Sequence, residues 1–127
     1  MPDAADPDLS GKRVLVVEDE YFIADEMRVQ LERCGAQVVG PAGDVAQARA
    51  LADSDFECAV LDINLHGDAV FELARELKAR GKPFLFATGY GESFVPGDLS
   101  DAPHFEKPLR FDTFIRAVAQ ACASRPA

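Results

Sequence analysis

The sequence is short of several things that would have pointed elsewhere. Basic residues are in deficit: 13 Lys and Arg stand against 22 Asp and Glu, a net charge of −9. That balance argues against nonspecific nucleic-acid binding, which needs clustered Lys and Arg to neutralise phosphates. No apolar run approaches the roughly 20 residues that a membrane-spanning helix needs. The opening stretch from Met1 to Leu9 carries Asp3, Asp6 and Asp8 and no apolar core. It therefore has the makeup of neither a secretory signal nor an Arg-rich transit peptide. Cysteine is scarce, odd in number and widely spaced, at Cys34, Cys58 and Cys122. This fits neither a disulfide framework nor a zinc site, and predicts small buried apolar residues in a reducing compartment. Phosphate-cradling glycine loops are missing: Gly89 and Gly91 belong to no Gly-x-x-x-x-Gly-Lys-Ser/Thr run, and no Gly-x-Gly-x-x-Gly follows the first apolar run. His66 and His104 are far apart and match no metal-ligand spacing.

What is present suits one soluble domain with a real core. The chain has 127 residues, 48% of them hydrophobic and 28% charged, and is too short for two ordinary domains. Residues 1–10, with Pro2 and Pro7 among Asp and Ala, read as a flexible acidic tail, and residues 11–125 as the folded domain. From Gly11 the chain alternates between two kinds of segment. Short β-branched or apolar runs predict strands at Arg13–Val17, Gln37–Gly40 (ended by Pro41), Cys58–Leu61 and Pro83–Ala87, with a short fifth candidate at His104–Glu106. Between them the period changes. Ile23, Met27 and Leu31 mark a helix stopped by Gly35, and Val45, Ala48, Leu51 and Ala52 a second, opened by Asp44 with Gln47 in a capping-box relation. Val70, Leu73, Ala74 and Leu77 mark a third, closed by Gly81, and Phe111, Phe114, Ile115, Val118, Ala119 and Cys122 a last one.

Strands alternating with helices imply right-handed crossovers and a parallel sheet covered on both faces. About five strands in this length predict an α/β doubly wound, flavodoxin-like fold. One connection breaks the rhythm. Between Gly89 and Pro103, Pro96 and Gly97 interrupt the stretch and no helical stripe survives, so the fourth crossover helix is expected to be short, frayed or mobile.

In such a sheet, ligands gather at the carboxyl ends of the strands. There the first strand delivers Glu18, Asp19 and Glu20, the third Asp62, Ile63 and Asn64, the fourth Thr88, and the fifth Lys107 and Pro108. Carboxylates brought close raise one another's pKa unless a divalent cation sits among them, and a hard cation such as Mg²⁺ is the natural occupant. A lysine and a threonine opposite would suit the oxygens of a phosphoryl group in transfer. Asp62, alone at the end of a strand read as central, can then act as nucleophile and form an aspartyl phosphate.

Taken together, Val17-Glu18-Asp19-Glu20, Leu61-Asp62-Ile63-Asn64-Leu65, Ala87-Thr88-Gly89 and Glu106-Lys107-Pro108 resemble the receiver domains of two-component response regulators, over roughly residues 12–124. The resemblance implies Asp62 as phosphoacceptor, Asp19 as Mg²⁺ ligand with Glu18 on metal-bound water, and Asn64 offering its backbone carbonyl to the metal. It also implies Thr88 on a phosphoryl oxygen and Lys107 paired with the phosphoryl group, with a cis Lys-Pro bond. Pro83-Phe-Leu-Phe-Ala-Thr-Gly-Tyr-Gly resembles more narrowly the single-domain "FAT GUY" response regulators of bacterial phosphorelays. The sequence departs from the wider family at two places. His66 stands where many receivers have Pro, and His104 where many have a switching Tyr or Phe.

The expected function is a cytoplasmic single-domain response regulator. It would take its phosphoryl group from a sensor histidine kinase or a histidine phosphotransfer protein and act through a downstream protein partner, or as a shuttle or sink. It is not expected to be a turnover enzyme, to bind nucleic acid or to enter a membrane. The alternatives are a phosphorylation-independent adaptor and an aspartyl-phosphate phosphohydrolase. The latter commonly needs a second Asp where this chain has Asn64, which cannot supply a carboxylic proton.

Overall fold

A computed structural model describes residues 7–63, 68–88 and 95–123. Its elements run β1 (Arg13–Val17), α1 (Tyr21–Arg33), β2 (Gln37–Ala42), α2 (Val45–Ala52), β3 (Cys58–Asp62), α3 (Asp68–Ala79), β4 (Phe84–Thr88), a 3-10 turn (Gly97–Leu99), β5 (His104–Glu106) and α4 (Phe111–Ala123). The five strands form one sheet in the order β2-β1-β3-β4-β5, and every pairing is parallel. This is the doubly wound, flavodoxin-like arrangement. The strand order reverses between β1 and β3, so their carboxyl ends flank the crevice of the switch point.

The period of two along each strand sorts the core into two layers. Leu15 and Val17 of β1, Ala59 and Leu61 of β3, and Phe84 and Phe86 of β4 pack with α2 and α3. Val14 and Val16 of β1, Cys58 and Val60 of β3, and Leu85 and Ala87 of β4 pack with Met27 and Leu31 of α1 and Phe114, Ile115 and Val118 of α4. Each large side chain so buried contributes on the order of 1.5–3 kcal/mol. Because both faces are covered, the central strands are apolar up to their carboxyl ends, as in β3, where Cys58, Ala59, Val60 and Leu61 are buried ahead of the equally buried Asp62.

Three local readings are refined by the structure. Pro41 does not end β2, which continues to Ala42 with a register shift opposite Leu15 and Val17. β2 is an edge strand, where a residue without an N–H costs no ladder bond on its open side. The Asp44 carboxylate accepts from the Gln47 N–H at 2.8 Å, whereas the Gln47 side chain accepts from the Gly43 N–H at 2.9 Å rather than from the cap itself. Among the described residues of the β4–β5 connection, 95–103, the helical element is the three-residue turn Gly97–Leu99. Its Asp98 is forked by Arg75 of α3 at 2.7 and 3.2 Å, and Leu99 is buried. Residues 89–94 lie outside the described residues.

The segment 1–10 is not wholly a tail. Leu9 is 1% exposed in the α1/α4 layer, and its N–H donates to the Cys34 carbonyl at 2.7 Å. A lone apolar residue in an Asp- and Pro-rich stretch gives no periodic signal, so only the tertiary fold reveals this anchor. Gly35 makes the docking possible. It sits at φ +99°, and a Cβ there would lie 2.7 Å from Ser10 Oγ. Residues 1–6 lie outside the described residues.

Candidate functional site

The side-chain period that builds the α1/α4 layer also builds the site. Val14 and Val16 share that layer, and the next position of the same parity is Glu18, just past β1. Cys58 and Val60 share it on β3, and the next is Asp62. Val16 pairs with Val60 in the β1–β3 register, so two further residues on both strands bring the carboxylates side by side. On β5, Phe105 packs in the same layer, and the next residue of its parity is Lys107. Three apolar rows thus end in two carboxylates and an ammonium.

Burial makes this arrangement electrostatically tight. Glu18 and Asp62 are 2% and 1% exposed, the buried charged residues among those described. Lys107 reaches them from β5, with Nζ 2.7 Å from Glu18 Oε1 and 3.4 Å from Asp62 Oδ1. Glu18 Oε2 accepts from the Glu20 N–H at 3.1 Å. Burial pushes the Glu18 carboxyl up to about 7, against the opposing pull of Lys107 and the Glu20 N–H and with a further push from the Asp62 charge. For Lys107, burial works to lower the pKa, but hydrogen bonds and attraction from Glu18 and Asp62 outweigh it and hold the ammonium above its ordinary value.

Asp19 sits on the solvent side of this pair. It is exposed, and it lines a surface cleft with Glu18, Tyr21, Asp25 and Arg28. Glu18, Asp19 and Asp62 each offer a carboxylate oxygen, and the three oxygens lie within 4.8 Å of one another. Three hard oxygen donors converging beside a crevice suit Mg²⁺.

Four of the residues read as functional from sequence, Glu18, Asp19, Asp62 and Lys107, are therefore brought together. Thr88 is placed by its backbone. It is the last residue of β4 and pairs with Glu106, immediately before Lys107, at the same edge of the sheet. Asn64 lies outside the described residues, as do His66 and Tyr90. The Lys107–Pro108 bond is cis, as the resemblance implies. Two features were not foreseen. Glu20, which the family resemblance leaves without a role, places its Oε1 3.8 Å from Lys107 Nζ, a third carboxylate facing the same ammonium. Glu18, expected on metal-bound water, here makes the shorter of the two buried lysine contacts. Counting parity back from the end of β1 could have marked Glu18 as inward-facing.

No family model matches the sequence. The solved structure of SdrG from Sphingomonas melonis Fr1 is similar over 88% of this chain and 96% of its own, at 36% identity and a TM-score of 0.75. The signal receiver domain of a modulated diguanylate cyclase from Desulfovibrio desulfuricans G20 is similar over 87% and 93% of the two chains, at 29% identity and a TM-score of 0.75. Among curated proteins, the sensory transduction protein LytT of Bacillus cereus is 38% identical over 84 residues, 63% of this chain. The chain spans only 34% of that relative's length. No helix among the described residues is long and apolar enough to cross a membrane.

Proposed function

The chain belongs to the response regulator receiver domains, and from that premise we propose that it is a phosphoacceptor in which Asp62 takes a phosphoryl group in a Mg²⁺-dependent phosphorelay. The observation that carries this reading is the burial of Asp62 at 1% exposure between two further carboxylates and the Lys107 ammonium. A carboxylate sealed at a strand end without such partners would be costly.

Glu18, Asp19 and Asp62 are the residues that would hold the ion, with the Asn64 carbonyl as a further donor implied by the family. Bound there, Mg²⁺ supplies positive charge to the phosphoryl oxygens. Asp62 supplies the nucleophilic oxygen: a P–O bond forms as the P–N bond of a phosphohistidine breaks, and the imidazole leaves with the nitrogen lone pair. Lys107, whose pKa is held up by its two carboxylates, stays protonated throughout and pairs with a phosphoryl oxygen. Thr88 is assigned the remaining hydrogen bond. The donor is a histidine kinase or a histidine phosphotransfer protein, and the acceptor state acts on a protein partner or passes the group on. In this reading the receiver unit is residues 11–125 with Leu9 docked against it, working in the cytoplasm as a response regulator. It is a signalling acceptor, with self-catalysed transfer and hydrolysis slow enough to serve a switch.

The test is labelling by a small-molecule phosphodonor. Wild type incorporates phosphate with Mg²⁺ and not with a chelator, and Asp62→Asn incorporates none. Equal labelling of the variant overturns the assignment of the acceptor.

A further inference from the structure

The row of β3 side chains that ends in Asp62 begins in a thiol. Cys58 is the first residue of β3 and 0% exposed, and Cys122, in the last turn of α4, is 1% exposed. Their sulfurs are 3.6 Å apart, although 64 positions separate them in the chain. Both are reduced. This is van der Waals contact between two nucleophilic atoms that the phosphotransfer reading does not use. We propose that Cys58 and Cys122 are a modification site: a thiol pair that a peroxide oxidises to an intramolecular disulfide, tying β3 to α4.

The closed core protects the pair. The Cys122 S–H donates to Cys58, and that bond together with burial pushes the Cys58 thiol well above its ordinary value, so it stays protonated. Reaction therefore begins from a locally opened state. Cys122 is next to the last residue of its helix, and helix ends open at far lower free energy than the sheet beneath them. When the turn lifts, Cys122 loses its proton to water and its sulfur attacks one peroxide oxygen. The O–O bond breaks, a sulfenic acid forms, and the released hydroxide leaves as water. As the turn settles, Cys58 sulfur attacks Cys122 sulfur and displaces the hydroxyl, which takes the Cys58 proton and leaves as a second water. Two thiols are oxidised by two electrons and one peroxide is reduced to two waters. Closing from 3.6 Å to the ~2.05 Å of a disulfide asks for a shift of the last turn of α4 toward β3, which the opened state allows. The bond would pin the far end of the helix that starts four residues after Lys107.

The experiment treats the intact folded chain with hydrogen peroxide, blocks remaining thiols with an alkylating agent under denaturing conditions, and maps peptides by mass spectrometry. The expected product is a Cys58–Cys122 cross-linked peptide, cleaved by dithiothreitol, with Cys34 still alkylated. Amide exchange across residues 118–123 should slow at least ~tenfold in the oxidised protein, because the opened state is constrained. Cys122→Ser should abolish the cross-link and leave Cys58 alkylatable. Cys58 and Cys122 both recovered as alkylated thiols, sulfinic or sulfonic acids without the cross-link, or a disulfide to Cys34 would each overturn the proposal. The wild-type peptide map decides the matter whether or not the serine variant folds. The proposal is independent of phosphoryl transfer and is tested without it.

Discussion

The two ends of one row on β3 are equally buried and chemically opposite. At the amino end, Cys58 touches Cys122 at 3.6 Å, and both are neutral. At the carboxyl end, Asp62 sits 3.4 Å from Lys107, which is itself 2.7 Å from Glu18. Val60 separates the two ends and is 1% exposed. The difference teaches that burial by itself does not define a site. A thiol is at home in an apolar layer and asks for no partner. A carboxylate there is stable only if a cation compensates it, so the charged end depends on Lys107.

The largest expected effect breaks the charged end outright. Asp62→Asn should eliminate phosphoryl incorporation while leaving the metal-free fold at least as stable, because the Asp62 charge is one of the contributions that make Glu18 hard to ionise. Denaturant unfolding alongside labelling checks both halves. Next, Lys107→Ala should cost about 3–5 kcal/mol in metal-free buffer at neutral pH by stranding two buried carboxylates, and millimolar Mg²⁺ should restore part of the loss. An equal loss with and without Mg²⁺ would mean that the lysine acts by packing alone.

A smaller effect is in the pH dependence. The folded protein holds the Glu18 proton to about pH 7, whereas the unfolded chain releases it near the ordinary 4.5. The folded state therefore binds more protons across that window. Metal-free stability should be full below it, fall as pH rises through it by on the order of 1–3 kcal/mol, and level off above. Glu18→Gln or added Mg²⁺ should flatten the curve, and the thiol end should contribute nothing to it. The smallest effect belongs to neither end. Asp98→Asn removes the exposed fork to Arg75 and should leave the unfolding midpoint unchanged within error.

Much of this was legible in the chain itself. The apolar runs at 13–17, 58–61 and 83–87 and the stripe from Phe111 to Cys122 predict elements that the structure confirms within a residue or two. They are legible because two-sided burial leaves an unbroken apolar signature. The interruption at Pro96 and Gly97 predicts a short fourth crossover helix, and among the described residues 95–103 the helical element is a three-residue turn. Pro41 misled because whether proline ends a strand depends on whether that strand lies at an edge. Leu9 was invisible because one residue has no period.

The sequence by itself determined the order of elements, the two-faced sheet and the residues delivered to its carboxyl edge, since these follow from periodicity and from strand ends. Only the tertiary structure decided which of those residues meet. Glu18 turns inward and Asp19 outward, Lys107 lies nearer Glu18 than Asp62, Glu20 faces the same ammonium, and Cys58 finds Cys122. These are contacts between strands and helices distant in the chain, set by sheet register and side-chain parity, and no local pattern in a sequence encodes the neighbour that a fold supplies.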